Sequence, residues 1–506
     1  MYNIVVHRAE KAAYPDTAPF HPSSAFPEYP FRPSLASENY VYEAVRSCFR
    51  IAGLDRQNYG SERWNPLGTL INPGETVLLK PNLVKEAHPR DPLGWRYVLT
   101  HGSVIRAVAD YVCIALKGEG TIVLADAPQT DSSFTEIVRQ LGLNVLRDFY
   151  VANGIKFRLV DLRKEEWTNE GGVIVARRKL SGDPEGAIPF DLASASEFTD
   201  HHGAGHYYGA DYDAAEVNLH HSGGRHEYLI AGTAIKCDVI FSLPKLKTHK
   251  KAGVTASLKN LIGVNANKNW LPHHTEGSSL SSGDEHPSPD LRHRFERRAA
   301  SVAKNIIIKL PLIGPRAMQM SRKVGEQVFG DTETVIRSGN WWGNDTIWRT
   351  CLDLNKIIAY GDSAGTLRAE NSNSRKRHYV LVDGVIAGEG RGPMNPDPIS
   401  AGILLFGTNA AATDAVCAYF MGFDPDRIPI IRQAFQCKRY PLAEGDWRDI
   451  TVLSDDPDWR RPLSEIQNTF HFKPHFGWVG HIERERMGQH DTRTALSPTP
   501  DFASKP

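Results

Sequence analysis

The chain has 506 residues, enough for two or three domains and a large core. Lysine plus arginine number 59 and aspartate plus glutamate also 59, so no net field directs the chain to nucleic acid, and any charge-driven binding is local. No apolar run approaches 18 residues, so no transmembrane helix is expected.

The first 35 residues, rich in proline and aromatics, read as an extended arm. A helix over 38–52 follows, with Val41, Ala44, Val45 and Phe49 as its apolar stripe. A strand over 76–79 ends in Lys80-Pro81-Asn82, a helix covers 103–116, and a strand over 121–125 ends in Asp126-Ala127-Pro128-Gln129 before a helix over 133–141. Strand and helix alternating with short connections predict an α/β fold: a parallel sheet core with helices on its faces. Ligands of such sheets bind beyond the carboxyl ends of the strands, where Lys80, Asn82, Asp126 and Gln129 fall.

Residues 151–230 read as an irregular, strand-bearing insertion, and 278–290 as a linker by composition. The stretch 291–328 mixes apolar and basic residues and reads as a helical insertion. It is expected either to cap the cleft or, through 300–325, to touch a membrane surface peripherally. A helix over 344–355, strands over 378–383 and 402–407 and a helix over 411–421 return to α/β character, and the tail after about 487 is expected to be disordered. The division is therefore 1–73 (arm and helix), 74–277 (first α/β portion), 278–338 (linker and helical insertion), 339–445 (second α/β portion) and 446–506 (C-terminal extension).

The most informative segment is DVIFSLPKLKTHKKAGVTASLKNLIG, 238–263. A buried strand over 239–243 should end at Pro244, and a cationic loop with Lys245, Lys247 and His249 should lead to a helix over 256–262 whose free N–H groups attract an anion. Thr255 and Asn260 interleave with the lysines as further substrate-binding candidates. His249 suits acid–base work near neutrality. Lys259 reads equally as an exposed helix lysine or a partly buried amine. Glu389, among glycines, is a further catalytic candidate. Asp414, at a helix start, reads as a cap. His273, His274 and Asp383 form a candidate set for a divalent metal, with solvated loop histidines as the alternative. The six cysteines are too scattered for a zinc knuckle or an iron–sulfur motif, a reducing cytoplasm suits them, and the N-terminus lacks signal-peptide character.

The segments VLLKPNLV (77–84), ADAPQTDSSF (125–134), LPKLKTHKKAGVTASLKNLIGV (243–264), DGVIAGEGRGP (383–393) and ATDAVCAYFMGFDP (412–425) resemble the family known as domain of unknown function 362. GNWWGNDTIWRTCLDLN (339–355) is similar to a longer subgroup associated with carbohydrate gene clusters. That likeness implies an enzyme for a small anionic or glycan-derived substrate in polysaccharide biosynthesis, or else a non-catalytic protein that binds a lipid-linked glycan intermediate. THKKAGVTASLKNLIG also resembles, distantly, a segment of nickel-pincer lactate racemases. The resemblance implies a cofactor-bearing role for Lys259 and nickel ligation by His273 or His274, although Ala256 and Ser257 stand where the racemases have glycines.

Overall fold

The computed structural model describes residues 2–31, 35–36, 38–170, 173–209, 213–288, 335–371 and 375–485. The helical insertion expected at 291–328, the membrane contact expected through 300–325 and the tail after 487 lie outside these residues.

Eleven strands form one sheet. In chain order they are β1 (Asn3–Arg8), β2 (Thr76–Pro81), β3 (Thr121–Asp126), β4 (Phe157–Asp161), β5 (Val239–Leu243), β6 (Lys245–His249), β7 (Gly253–Thr255), β8 (Arg377–Glu389), β9 (Asp397–Ile399), β10 (Ile403–Gly407) and β11 (Thr451–Leu453). The spatial order is β11-β1-β10-β8-β5-β2-β3-β4. The run from β8 to β4 is parallel throughout, whereas β10 pairs antiparallel with both β1 and β8. Strands thus come from the N-terminal arm, both α/β portions and the C-terminal extension, and the two α/β portions meet where β5 pairs with β8.

Both faces of this sheet are covered, which is why its strands read as unbroken Val/Ile/Leu runs rather than as alternations. On one face Val77, Leu79, Val239 and Phe241 pack against α1 (Tyr40–Ile51) and α2 (Gly102–Leu116). On the other, Leu78, Val123 and Ile240 join a core with Leu354 and Ile357 of α4 (Ile347–Tyr360). Val380, Val382 and Leu405 pack there against α5 (Ala410–Phe420). The insertion adds separate antiparallel pairs, among them the hairpin Glu165–Glu170 with Val173–Lys179 and the pair Ala187–Asp191 with Glu227–Ala231.

Two local expectations are corrected. The cationic segment after Pro244 is β-structure: β6 is buried along its whole length and turns back as β7. The helix expected over 256–262 is a single turn, α3 (Ser257–Asn260), continued by a 3-10 turn, Leu261–Val264. The linker read at 278–290 also packs in its described part. Asp284 is buried and accepts hydrogen bonds from the Thr275 and Asp345 amides and from Thr346 Oγ1. Its Ser, Gly and Asp content serves caps and turns.

Candidate functional site

Strand β2 has β3 on one side and β5 on the other. The connections leaving these strands part there, and a crevice opens beyond the carboxyl ends, as it does at the switch point of any open α/β sheet. The crevice is a cavity of about 190 Å³. Among the described residues six lysines line it (Lys80, Lys247, Lys250, Lys251, Lys259 and Lys268), against one carboxylate, Asp126.

That carboxylate is already engaged. Lys80 Nζ lies 2.8 Å from Asp126 Oδ1, and the Leu83 amide donates to Oδ2 at 2.7 Å. Asn260 staples the strand ends: its Nδ2 donates to Lys80 O at 2.9 Å and Ser242 Oγ at 3.0 Å, while its Oδ1 accepts from Lys80 Nζ at 3.2 Å. Gly263 is the spacer that lets the 3-10 turn approach this ion pair. A Cβ there would stand 1.9 Å from Asp126 Oδ1 and 2.7 Å from Lys80 Nζ.

The β6–β7 hairpin supplies the opposite wall. Lys247 Nζ donates to Val98 O at 2.5 Å. His249 Nδ1 accepts from the Lys251 and Ala252 amides at 3.0 and 3.1 Å, which puts the proton of the neutral ring on Nε2 and makes His249 a donor to the cavity. His273 has the opposite tautomer, because its Nδ1 donates to Leu271 O at 2.8 Å and leaves the lone pair on Nε2. The α3 N-terminus is not the anion site that strand–loop–helix order suggested. Its Ser257 and Leu258 amides donate to the Asp414 carboxylate at 2.7 and 2.9 Å, so a carboxylate from another helix occupies that position. Burial pushes this carboxyl up to about 7, against the two amides that favour its ionised form.

The electrostatics follow from crowding amines in a buried space. Burial lowers the pKa of Lys80, opposed by Asp126. Burial and then the neighbouring Lys245 and Lys259 take Lys247 well below the usual lysine value. Lys268 is brought down to about 7, chiefly by burial, with Lys80, Lys259 and Arg163 adding repulsion against the pull of Asp126. Burial first, then surrounding lysines, keep His249 and His273 neutral well below 6.5. Two further polar atoms on the cavity-lining residues are buried with no hydrogen-bond partner among the described residues, Thr255 Oγ1 and Asn82 Oδ1.

Of the residues singled out from the sequence, ten converge here: Lys80, Asn82, Asp126, Gln129, Lys247, His249, Thr255, Lys259, Asn260 and His273. Four stand elsewhere. Lys245 is sealed behind the cavity, 3.1 Å from Asp383 and 2.5 Å from Tyr14 Oη, and Tyr14 Oη donates to Asp383 at 2.6 Å. Asp383 is thereby consumed in a fully buried pair and is not beside His273. His274 receives Lys251 Nζ on Nδ1 at 3.3 Å. Glu389 accepts from the Lys473 amide at 2.8 Å, outside the cavity. Among the described residues no group of three or more His, Cys, Asp or Glu side chains is arranged to hold a metal ion. Lys268 was missed from the sequence. Its only local signal is the Asn265-x-Asn267 pair before it, whose side chains form the turns that carry it.

Fold and cleft together define a mixed α/β protein with a cationic pocket at the switch point of a mostly parallel sheet. Residues 194–419 match the family model described as Domain of unknown function (DUF362), and this stretch of the chain is a DUF362 domain. The match takes in β5 to β8, α3 and α4 and so carries the hairpin wall of the cleft. Curated proteins return no match. Among solved structures, a Thermotoga maritima protein that was a target of the Northeast Structural Genomics Consortium is 12% identical, with 70% of this chain and 57% of that chain covered and a TM-score of 0.29. A likeness at that level says nothing about mechanism. No helix among the described residues is long and apolar enough to cross a membrane.

Proposed function

We propose that the chain is an enzyme whose switch-point cleft binds a small substrate through its phosphate or carboxylate group and transfers a proton on it. The observation that carries this reading is the imbalance of six lysines against one, already paired, carboxylate in a largely buried space. Amines held so close repel one another and lose hydration, an arrangement that is costly unless an anion completes it. The cavity is smaller than the roughly 300–1,000 Å³ of pockets for drug-sized ligands, so the group it encloses is compact. The resemblance to a carbohydrate-cluster subgroup favours a sugar phosphate or sugar acid.

Roles follow from hydrogen-bond polarity. Lys247 and Lys80 neutralise the anion. His249 donates through Nε2–H to a developing negative oxygen, as a neutral imidazole and not as an acid–base pair. Lys268, with a pKa of about 7, is the group matched to proton transfer near neutrality.

Isothermal titration at low ionic strength with sugar phosphates and small dicarboxylates tests the proposal. At least one class is expected to bind, and Lys247→Met is expected to weaken it at least about tenfold, the scale of one charge-assisted contact. The same substitution should raise the melting temperature of the anion-free protein, because it removes a buried amine that its neighbours repel. A variant that binds as tightly as the natural chain would remove Lys247 from the site. If no anion gives heat, the proposal fails.

A further inference from the structure

The lysines of the cleft are not equivalent. Lys80 holds Asp126, Asn260 and Pro81 O; Lys247 holds Val98 O; Lys268 holds Ile262 O at 2.9 Å. Lys259 has no hydrogen bond or ion pair to any acceptor among the described residues, although it lines the same cavity. Its backbone, by contrast, is pinned on both sides. The residue before it donates its amide to Asp414 and accepts from Asn355 Nδ2 at 2.9 Å, and the residue after it is the Asn260 staple. A long side chain thus leaves a rigid turn and ends in an amine with no hydrogen-bond acceptor among the described residues.

The charged form of a buried amine is favoured by its acceptors, as Asp126 favours that of Lys80 against burial. Lys259, whose side chain is only partly buried, lacks them among the described residues, and burial, with repulsion from Lys80 and against the pull of Cys351, lowers its pKa towards the neutral form. A neutral, desolvated amine beside other cations is the state in which lysine is a nucleophile.

We propose that Lys259 condenses with a carbonyl carbon of the bound anion, so that the substrate class of this cleft is small 2-oxo acids or keto phosphates. The inference rests on the anion-binding reading of the same site. In the step, the Nζ lone pair forms a C–N bond as the C=O π pair moves to oxygen. Two protons pass from nitrogen to that oxygen, which leaves as water, and one further proton from the site gives the cationic iminium. Nothing is oxidised or reduced. The His249 Nε2–H and the Thr255 hydroxyl line the cavity as donors to the carbonyl oxygen while the other lysines hold the anionic end.

The test is reductive trapping on the full chain with two probes, pyruvate and dihydroxyacetone phosphate, each with and without sodium borohydride. Oxalate binding to the same preparation is measured in parallel by titration. A borohydride-dependent mass increment on the peptide carrying Lys259 is expected from at least one probe. It should be suppressed at least tenfold by excess oxalate and absent from Lys259→Arg. If that variant does not fold, peptide mapping of the natural chain decides alone. Oxalate binding without any adduct from either probe, or an adduct spread over Lys80, Lys247 and Lys268, overturns the nucleophile but leaves the anion site standing. Absence of both oxalate binding and adduct overturns both.

Discussion

Gly263→Ala is expected to cost about 3–5 kcal/mol of stability, the range for a buried ion pair forced apart with no water to replace either partner. The added methyl would fall 1.9 Å from Asp126 Oδ1, closer than any non-bonded contact allows. The backbone cannot retreat easily, because Gly263 O accepts the Ala127 amide at 2.8 Å and so ties the 3-10 turn to the end of β3. The strain therefore falls on Lys80 and Asp126, both at most 3% exposed. Since Lys80 is also a wall of the cleft, anion affinity should fall about tenfold or more, one charge-assisted contact being displaced. Urea unfolding and titration of the same variant read both effects. A loss below about 1 kcal/mol would mean that the turn gives way freely, and the pair would then not be the fixed element described above.

The second large effect is expected far away in sequence. Trp478 is 1% exposed and packs beneath the β6–β7 turn, where a Cβ on Gly253 would stand 3.1 Å from the indole. Gly253 has φ of +78°, a conformation that leaves no room for a side chain on that face. The indole Nε1 also donates to Lys250 O at 2.8 Å, closing the turn from below. Trp478→Ala should destabilise by about 3–5 kcal/mol, as emptying a buried aromatic site does. It should also weaken anion binding, since Lys247, His249 and Lys251 ride on this hairpin. Trp478→Phe keeps most of the packing and loses one hydrogen bond, so about 1–1.5 kcal/mol is expected. An alanine variant that unfolds like the natural chain would show that the hairpin stands without its support.

The parallel sheet was legible because its strands are buried on both faces. TVLLKP, TIVLAD and VIFSL carry that requirement in five or six residues each, and their carboxyl ends expose the polar residues that became the cleft. Lys80, Asp126 and Asn260 could thus be gathered without coordinates. What was illegible depends on partners distant in the chain. Lys245 and Lys247 look alike in sequence, yet Lys245 meets Asp383, 138 residues on, and is removed from the site. The α3 amides look free until Asp414, 157 residues on, is found accepting from the Ser257 amide. The hairpin was read as a loop because lysine-rich strands are uncommon in a sheet interior. Here each amine finds a carbonyl, a carboxylate or the cavity. Lys268 escaped notice because the Asn265-x-Asn267 pair before it marks a turn and says nothing of burial.

The central claim is that partly deprotonated amines wait in this cleft for an anion, and proton exchange on binding tests it most directly. A lysine whose pKa is lowered in the unliganded protein and restored by a bound anion takes up protons when the anion arrives. For Lys268, at about 7 unliganded, the uptake should appear as the pH rises above that value. Oxalate does not itself titrate there. Its binding heat at pH 8, measured in Tris and in HEPES, should differ by the buffers' ionisation enthalpies and correspond to uptake of about half a proton or more per oxalate bound. Affinity should fall as pH rises further, because the proton becomes harder to supply. Heats that are the same in both buffers, or a release of protons, would contradict the account.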